Sequence, residues 1–216
     1  MLCIHHKNKY SSSDISDNLK TSLGKIFENG GIACTNNSCG FHIHISDPSI
    51  NANTINGKLF ILEMLKLWVG VTKSEDKDKD KSEDKSEESY QDKFIKLGYV
   101  RKDSYFSKLM PSLLEITYNT AKDNIVSNND NIFNTILSNY NADKNVTLNI
   151  YCYNKNDKTL DDTIRFEFRG HCGLLDIVSN IDNISTKTDK LYNYLIEYMY
   201  NVNELMTLVK SKISKI

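Results

Sequence analysis

The sequence predicts an α+β fold, in which an antiparallel sheet packs against helices. Two segments, residues 40–45 and 163–170, alternate apolar and polar side chains with the period of two that marks a half-buried strand. A third alternating segment, residues 146–153, precedes the second so closely that an antiparallel hairpin is expected. The helical and strand patterns come in blocks rather than in alternation, which disfavours a doubly wound parallel sheet.

Length, charge and cysteine content narrow the class of protein. The 216 residues, 39% hydrophobic and 25% charged, suit a single domain over residues 1–216 with a sizeable core. The net charge of −1 argues against a nucleic-acid partner, because such binders present a basic face. Five cysteines without a CxxC pair indicate reduced thiols. No run approaches the ~20 apolar residues of a membrane span and no secretory signal is evident, so we expect a soluble, cytoplasmic protein without a membrane partner.

Helical spacing of apolar residues dominates the first third of the chain. Residues 14–28 predict a helix with Asp14 as its N-cap, and Asn29-Gly30-Gly31 is expected to end it. Residues 59–71, LFILEMLKLWVGV, are long enough for a buried helix. Residues 73–89 contain no apolar side chain, so a disordered insertion is expected, with an isolated charged helix as the alternative.

The rest of the chain contains further predicted helices and turns. Residues 90–107 predict a helix and a turn, and residues 154–162 a polar turn between two strands. Four further helices are predicted, the first opened by Pro111 and the last ending in a solvated basic turn. They lie at residues 111–126, 130–140, 174–184 and 187–213, and the basic turn holds Lys210, Lys212 and Lys215.

The candidate site begins with the strand CGFHIHIS at residues 39–46. Because successive side chains alternate across a strand, His42 and His44 share one face, about 6–7 Å apart. The residues between and beside them, Phe41, Ile43 and Ile45, are expected to pack on the core. Two imidazoles on one exposed face can approach the same ligand or metal ion.

The strand IRFEFRG at residues 164–170 has the same design. Arg165, Glu167 and Arg169 share one face, and the apolar residues between them share the other. A surface salt-bridge ladder is the plain interpretation of such a trio. Together with the two histidines, however, the carboxylate offers metal ligands and the guanidinium groups offer bidentate phosphate contacts. The pattern therefore predicts a site for a metal-chelated polyphosphate.

Two other chemistries involve residues in or near the same segments. Cys34 and Cys39 could join the two histidines in a zinc site, although Cys39 would point away from His42 if the strand already includes it. His171 and Cys172 could suggest a nucleophilic pair, but neighbours on a strand point apart, and His171 is predicted to lie in a turn.

These motifs, in this order, resemble the amidoligases, relatives of glutamine synthetase and of the glutamate–cysteine ligases. The resemblance rests on the HxH strand, the apolar helix with its tryptophan, the strand NVTLNIY at residues 145–151, and the strand IRFEFRG. Residues 22–38 are also similar to the helix and loop that lead into the family's HxH strand. In all, the resemblance covers about residues 19–183.

The resemblance implies a glutamine-synthetase-like fold, with a curved antiparallel sheet that carries the site on its concave face. It further implies ATP- and Mg²⁺-dependent joining of a carboxylate, of an amino acid or a peptide, to an amine through an acyl phosphate. The residue roles that it implies are metal binding by His42 and Glu167, nucleotide contacts by His44, Asn149 and Arg169, and phosphate or acyl-phosphate binding by Arg169 and Arg165.

One part of the family pattern is missing from the sequence. Family members begin with a GxExE strand that supplies metal-binding carboxylates, whereas residues 1–39 contain no ExE pattern. We therefore expect an N-terminally truncated member. A catalytically inactive domain that binds nucleotide or a partner stays open as the alternative to an enzyme.

Overall fold

The computed structural model describes residues 12–29, 40–73, 88–100, 102, 108–153, 160–172, 178 and 180–214. In chain order the elements are α1 Ser12–Glu28, β1 Gly40–Ser46, α2 Ile55–Val69, β2 Val71–Thr72, α3 Tyr90–Lys96, β3 Leu113–Leu114, α4 Glu115–Val126, α5 Asn131–Tyr140, β4 Leu148–Tyr153, β5 Leu160–Cys172 and α6 Ile184–Ile213. Within these ranges, six helices accompany a three-stranded antiparallel sheet, which is an α+β composition as predicted. Most of the predicted disordered insertion, residues 74–87, lies outside the described residues.

The described residues divide between two compact units. The first contains α1 and the part of α6 up to residue 201. Leu19 and Leu23 of α1 and Leu191 and Leu195 of α6 are buried. Lys20 Nζ of α1 lies 2.6 Å from Asp189 Oδ1 of α6. The second unit runs from residue 40 to residue 172 and includes α6 from residue 202 onward. It holds both sheets and the predicted site residues of β1, β4 and β5.

The larger sheet of the second unit has the strand order β1-β5-β4, so that β5 is central and antiparallel to both neighbours. Alternation along β5 buries Ile164, Phe166 and Phe168 on one face, each no more than 1% exposed. Ile43 and Ile45 of the edge strand β1 are only half-buried. The apolar face predicted from the sequence is therefore most completely buried at the central strand β5.

Helix α2 covers this apolar face. The rings of Phe60 and Phe166 lie 5.8 Å apart, and those of Trp68 and Phe168 lie 5.3 Å apart. The helix begins where Thr54 Oγ1 accepts a hydrogen bond from the Gly57 amide at 3.0 Å. Because α2 has neighbours on several sides, almost its whole circumference is buried. This explains why its sequence is apolar without an amphipathic stripe.

Two charged residues of α2 are nevertheless buried, and both have partners. Lys58 Nζ lies 2.5 Å from Asp130 Oδ2, at the start of α5. Glu63 accepts a hydrogen bond from the hydroxyl of Tyr118 in α4. Burial and the hydrogen bond to Glu63 raise the pKa of Tyr118 far above its usual value. These contacts attach α4 and α5 to α2, the helix that packs against the sheet.

A network of buried hydrogen bonds connects α2 and α3 with the segment around residue 110. The side-chain amide of Gln91 donates to the Met110 carbonyl oxygen and accepts from the Met110 amide, each at 2.9 Å. Thr147 donates its hydroxyl hydrogen to Gln91 Oε1 at 2.8 Å and accepts from Trp68 Nε1 at 3.1 Å. The buried polar side chains of Trp68, Gln91 and Thr147 thus all have hydrogen-bond partners, as burial demands.

Several predicted helix ends are corrected by the structure. Helix α1 begins at Ser12, so Asp14 lies inside it rather than at its N-cap. Pro111 does not open a helix, because Leu113–Leu114 pair in parallel with Val71–Thr72 and α4 begins only at Glu115. The helix predicted over residues 174–184 is wrong for residues 180–183, which are not helical, while residues 174–177 and 179 lie outside the description.

The central strand is longer than the alternation predicted. It runs from Leu160 to Cys172, with Leu160 opposite Tyr153 and Cys172 opposite Gly40. Residues 160–162 are therefore strand rather than turn, and His171 is a strand residue as well. Because β5 pairs with a neighbouring strand on each side, its extended conformation continues beyond the residues in which apolar and polar side chains alternate. Among the described residues, no helix has the length and apolar character needed to cross a bilayer.

Lys210, predicted to lie in a solvated helix end, forms an ion pair with Asp47 at the end of β1. The hydrogen bonds from Lys210 and Ser49 lower the pKa of Asp47 to about 2. A carboxyl whose pKa is depressed in the folded state stabilises the fold above its unfolded pKa, and this contribution is lost as the pH falls through the folded value.

We therefore expect Asp47→Asn to lower the free energy of unfolding by about 1 kcal/mol at pH 7. The difference from the parent should shrink as the pH falls from about 4 toward 2, because the parent then also loses the charge. Urea unfolding at a series of pH values measures it, with the exposed Asp123→Asn as a control. A difference that stays constant down to the acid end would contradict the assignment.

Candidate functional site

The polar face of the sheet gathers residues from all three of its strands. His44 of β1 and Asn149 of β4 both lie opposite Glu167 of β5, and His42 lies opposite Arg169. Because β5 is central, its carboxylate has neighbours from both sides. The convergence predicted for the HxH and RxExR segments is present.

Glu167 is the centre of this cluster, and its side chain is only 5% exposed. Its Oε1 atom lies 2.7 Å from His42 Nδ1. Its Oε2 atom accepts hydrogen bonds from Asn149 Nδ2 at 2.9 Å, from the Tyr151 hydroxyl at 2.7 Å and, longer, from Arg169 at 3.4 Å. Both oxygens of the buried carboxylate are therefore partnered.

These contacts determine the charge of Glu167. Burial on its own raises the pKa of this carboxyl, but the hydrogen bonds from His42, Tyr151 and Asn149 and the charge of Arg169 outweigh it. The net effect holds the pKa of Glu167 well below its usual range. The residue is an anion at neutral pH, buried and held by donors.

The two histidines lie on the open side of the carboxylate. Their ring centroids are 6.5 Å apart, as the spacing along a strand predicts, and their side chains are 30% and 41% exposed. His44 Nε2 lies 3.5 Å from Glu167 Oε1. Burial lowers the pKa of His44, and the guanidinium charges of Arg165 and Arg169 lower it as well, whereas the negative charge of Glu167 acts in the opposite direction. His44 is therefore a neutral imidazole with a lone pair to offer at neutral pH.

A metal ion is one ligand that this geometry can hold. One ligand atom each from His42, His44 and Glu167 lies within 4.8 Å of the other two. Two imidazoles and one carboxylate form a donor set that suits a divalent ion. Arg169, whose side chain is 13% exposed, lies directly beside the carboxylate.

Tyr151 is a member of this cluster that sequence reasoning missed. Its hydroxyl donates to Glu167, and the guanidinium of Arg165 lies 4.4 Å from the centre of its ring. Burial and the hydrogen bond to Glu167 raise the pKa of Tyr151. The signal was present, because Tyr151 follows Asn149 by two positions and so shares its face. Arg165, which is exposed, thus joins the cluster through Tyr151.

The alternative sites fall partly outside the description. Cys34 and Cys39, the cysteine ligands of the zinc alternative, are not among the described residues, and neither is the side chain of His171. That alternative stays a prediction. Comparison with family models, curated proteins and solved structures found no match to this chain.

Proposed function

We propose that this protein is an ATP-dependent ligase of the amidoligase type, which joins the carboxylate of an amino acid or peptide to an amine. One observation carries the proposal: an anionic, buried Glu167 lies among two imidazoles and the guanidinium of Arg169 on one face of an antiparallel sheet. The sequence resemblance supports the same conclusion, and a glutamine-synthetase-like sheet is the fold that we propose with it.

The reaction needs cationic groups where phosphate charge accumulates. The carboxylate oxygen of the substrate attacks the γ-phosphorus of ATP, and the bond to the β–γ bridging oxygen breaks to release ADP. The amine then attacks the carbonyl carbon of the acyl phosphate, inorganic phosphate leaves, and the nitrogen loses a proton. Arg169 and the more exposed Arg165 are suited to hold the transferred phosphoryl group, because guanidinium binds phosphate oxygens in bidentate fashion.

Residues of the same cluster are suited to bind the nucleotide and its metal ion. Mg²⁺ binds commonly through one or two carboxylates and the phosphates of its nucleotide. Glu167 can supply one such oxygen, and when bound the ion neutralises phosphate charge. His42 would share the metal, and His44, which lies opposite Glu167 and is exposed, is in reach of a nucleotide lying across the sheet. Asn149 is buried and its Nδ2 already donates to Glu167 and to the Lys144 carbonyl oxygen, so it would act by positioning Glu167.

A second candidate is a nucleotide-binding domain without turnover. It is favoured by the donor set, since Glu167 is the single carboxylate in the metal-ligand cluster of the described residues. A fully hydrogen-bonded carboxylate of this kind also stabilises a sheet without any catalytic role.

A turnover assay with the purified chain, ATP, Mg²⁺ and pooled amino acids and peptides distinguishes the two candidate functions. We expect ADP formation that depends on the pool and falls at least about tenfold in His42→Ala. The matched control is Glu204→Gln, an exposed residue that contacts Tyr90 and Lys93 instead of the site. Nucleotide binding without turnover would support the second candidate, and equal rates in parent and His42→Ala would exclude the proposed site.

A further inference from the structure

We propose that a cavity at the C-terminal end of α2 binds a small amphipathic anion, a carboxylate with an apolar chain. The cavity has a volume of about 520 Å³, which is a usual size for a ligand-binding cavity. Its described lining residues come from α2, from β2, from the start of α3 and from the last turns of α6, and none of them belongs to the larger sheet. The proposal is therefore independent of the ligase function proposed for the polar face.

Part of the lining is apolar. Leu67 of α2, Val71 of β2 and Leu208 of α6 contribute aliphatic side chains. Tyr90 contributes its ring, since its hydroxyl already donates a hydrogen bond to Glu204 at 2.9 Å. A hydrocarbon chain that replaces water against these side chains is stabilised in proportion to the apolar area that it covers.

Two lysines bring positive charge to the same cavity. Lys66 belongs to α2, and Lys212 belongs to α6. The lining also includes the carboxylate of Glu88, which forms an ion pair with Lys96. Because the charge of Glu88 is already balanced in this way, the two lysines leave a positive charge that an anionic head group would balance.

The surroundings of Lys66 fix its side chain and leave its hydrogens available. Its Nζ lies 4.3 Å from the centre of the Tyr118 ring and 3.8 Å from Oε1 of Glu63, which accepts a hydrogen bond from the Tyr118 hydroxyl. A separation of 3.8 Å is too long for a hydrogen bond, and no described residue accepts one from Lys66. The side chain is 32% exposed, so its ammonium group can donate to a bound carboxylate.

The two parts of the lining together select the ligand. A carboxylate without a chain would meet the lysines but leave the aliphatic side chains in contact with water, and a neutral chain would do the reverse. A carboxylate on a short apolar chain satisfies both, because its oxygens accept from ammonium groups while its chain covers the apolar side chains.

The experiment is a calorimetric titration of the full-length chain with octanoate. Octan-1-ol and acetate serve as probes of the chain alone and of the charge alone. We expect one octanoate per chain, bound at least about tenfold more tightly than either of the other two. Lys66→Met, which keeps an unbranched side chain and removes the charge, should weaken octanoate binding by about tenfold or more.

Two further variants locate the binding site. Leu208→Trp should also weaken octanoate binding by about tenfold or more, because the larger side chain occupies the cavity. Lys108→Met is the matched control and should leave the affinity unchanged, since Lys108 Nζ lies 2.7 Å from Asp143 Oδ2 and the residue does not line the cavity.

Circular dichroism shows whether each variant is folded. Unchanged octanoate affinity in folded Lys66→Met would overturn the proposal, and Lys212→Met takes its place in this test if Lys66→Met does not fold. Octan-1-ol or acetate that binds as tightly as octanoate, or parent-like binding by Leu208→Trp, would overturn it as well. The presence or absence of ATP turnover has no bearing on these outcomes, so the failure of one proposal is distinguishable from the failure of the other.

Discussion

If the protein is the proposed ligase, Glu167→Gln should reduce ATP turnover by about 100-fold or more, the largest functional effect that we expect. The carboxylate is the anionic centre of the cluster, and its two oxygens contact different groups of side chains. Oε1 meets the histidines, and Oε2 accepts from Asn149, Tyr151 and Arg169. The amide that replaces it carries no charge, and its NH₂ group must face either the histidines or the three donors. It therefore loses the proposed metal ligand or the orientation of that ligand.

Steady-state ADP formation measures this effect, and Glu204→Gln is the control, since it removes an equal charge at an exposed position. Parent-like turnover in Glu167→Gln would rule out a catalytic role for the cluster. Urea unfolding should accompany the assay, because four donors surround a carboxylate that is 5% exposed. A folded variant with the turnover lost assigns the effect to chemistry.

Trp68→Ala should lower the free energy of unfolding by about 3–5 kcal/mol, the largest stability effect that we expect. Trp68 is completely buried between two layers, with its ring 5.1 Å from that of Phe94 in α3 and 5.3 Å from that of Phe168 in β5. Its indole nitrogen also donates to Thr147 Oγ1. Truncation leaves a cavity directly beneath the strand that carries Glu167.

Far-UV circular dichroism in urea is the suitable measurement, because Trp68 is the only tryptophan of the chain and its fluorescence disappears with it. Trp68→Phe is the matched comparison, since it keeps an aromatic ring and loses the indole N–H. We expect it to cost less than Trp68→Ala. A loss below about 1 kcal/mol in Trp68→Ala would show that this contact does not hold the layers together.

Local periodicity predicted much of the candidate site. The alternation in β1 and β5 was sufficient to place His42 with His44 and Glu167 with Arg169, because the direction of a strand side chain depends only on its parity. The apolar run of α2 likewise predicted a buried helix. In each case the signal lies within a few neighbouring residues.

Where long-range pairing competes with a local rule, the sequence prediction was wrong. Pro111 satisfied the rule for a first helical turn, yet the Leu113 amide donates to the Gly70 carbonyl oxygen at 3.0 Å and the segment is extended. Lys58 and Glu63 are buried charged residues within the apolar sequence of α2. Lys58 is accommodated by its ion pair with Asp130, and Glu63 by its hydrogen bond from Tyr118. Those partners lie far away along the chain.

The sequence by itself determined where the three strands of the larger sheet lie, apart from the ends of β5, which face of each strand is polar, and which side chains could bind phosphate or metal. Only the tertiary structure decided that β5 is central and that its register sets Glu167 between His44 and Asn149, with Tyr151 donating from the same side. The physical reason is that side-chain direction follows from local backbone geometry, whereas register depends on pairing between distant segments and on the packing beneath them.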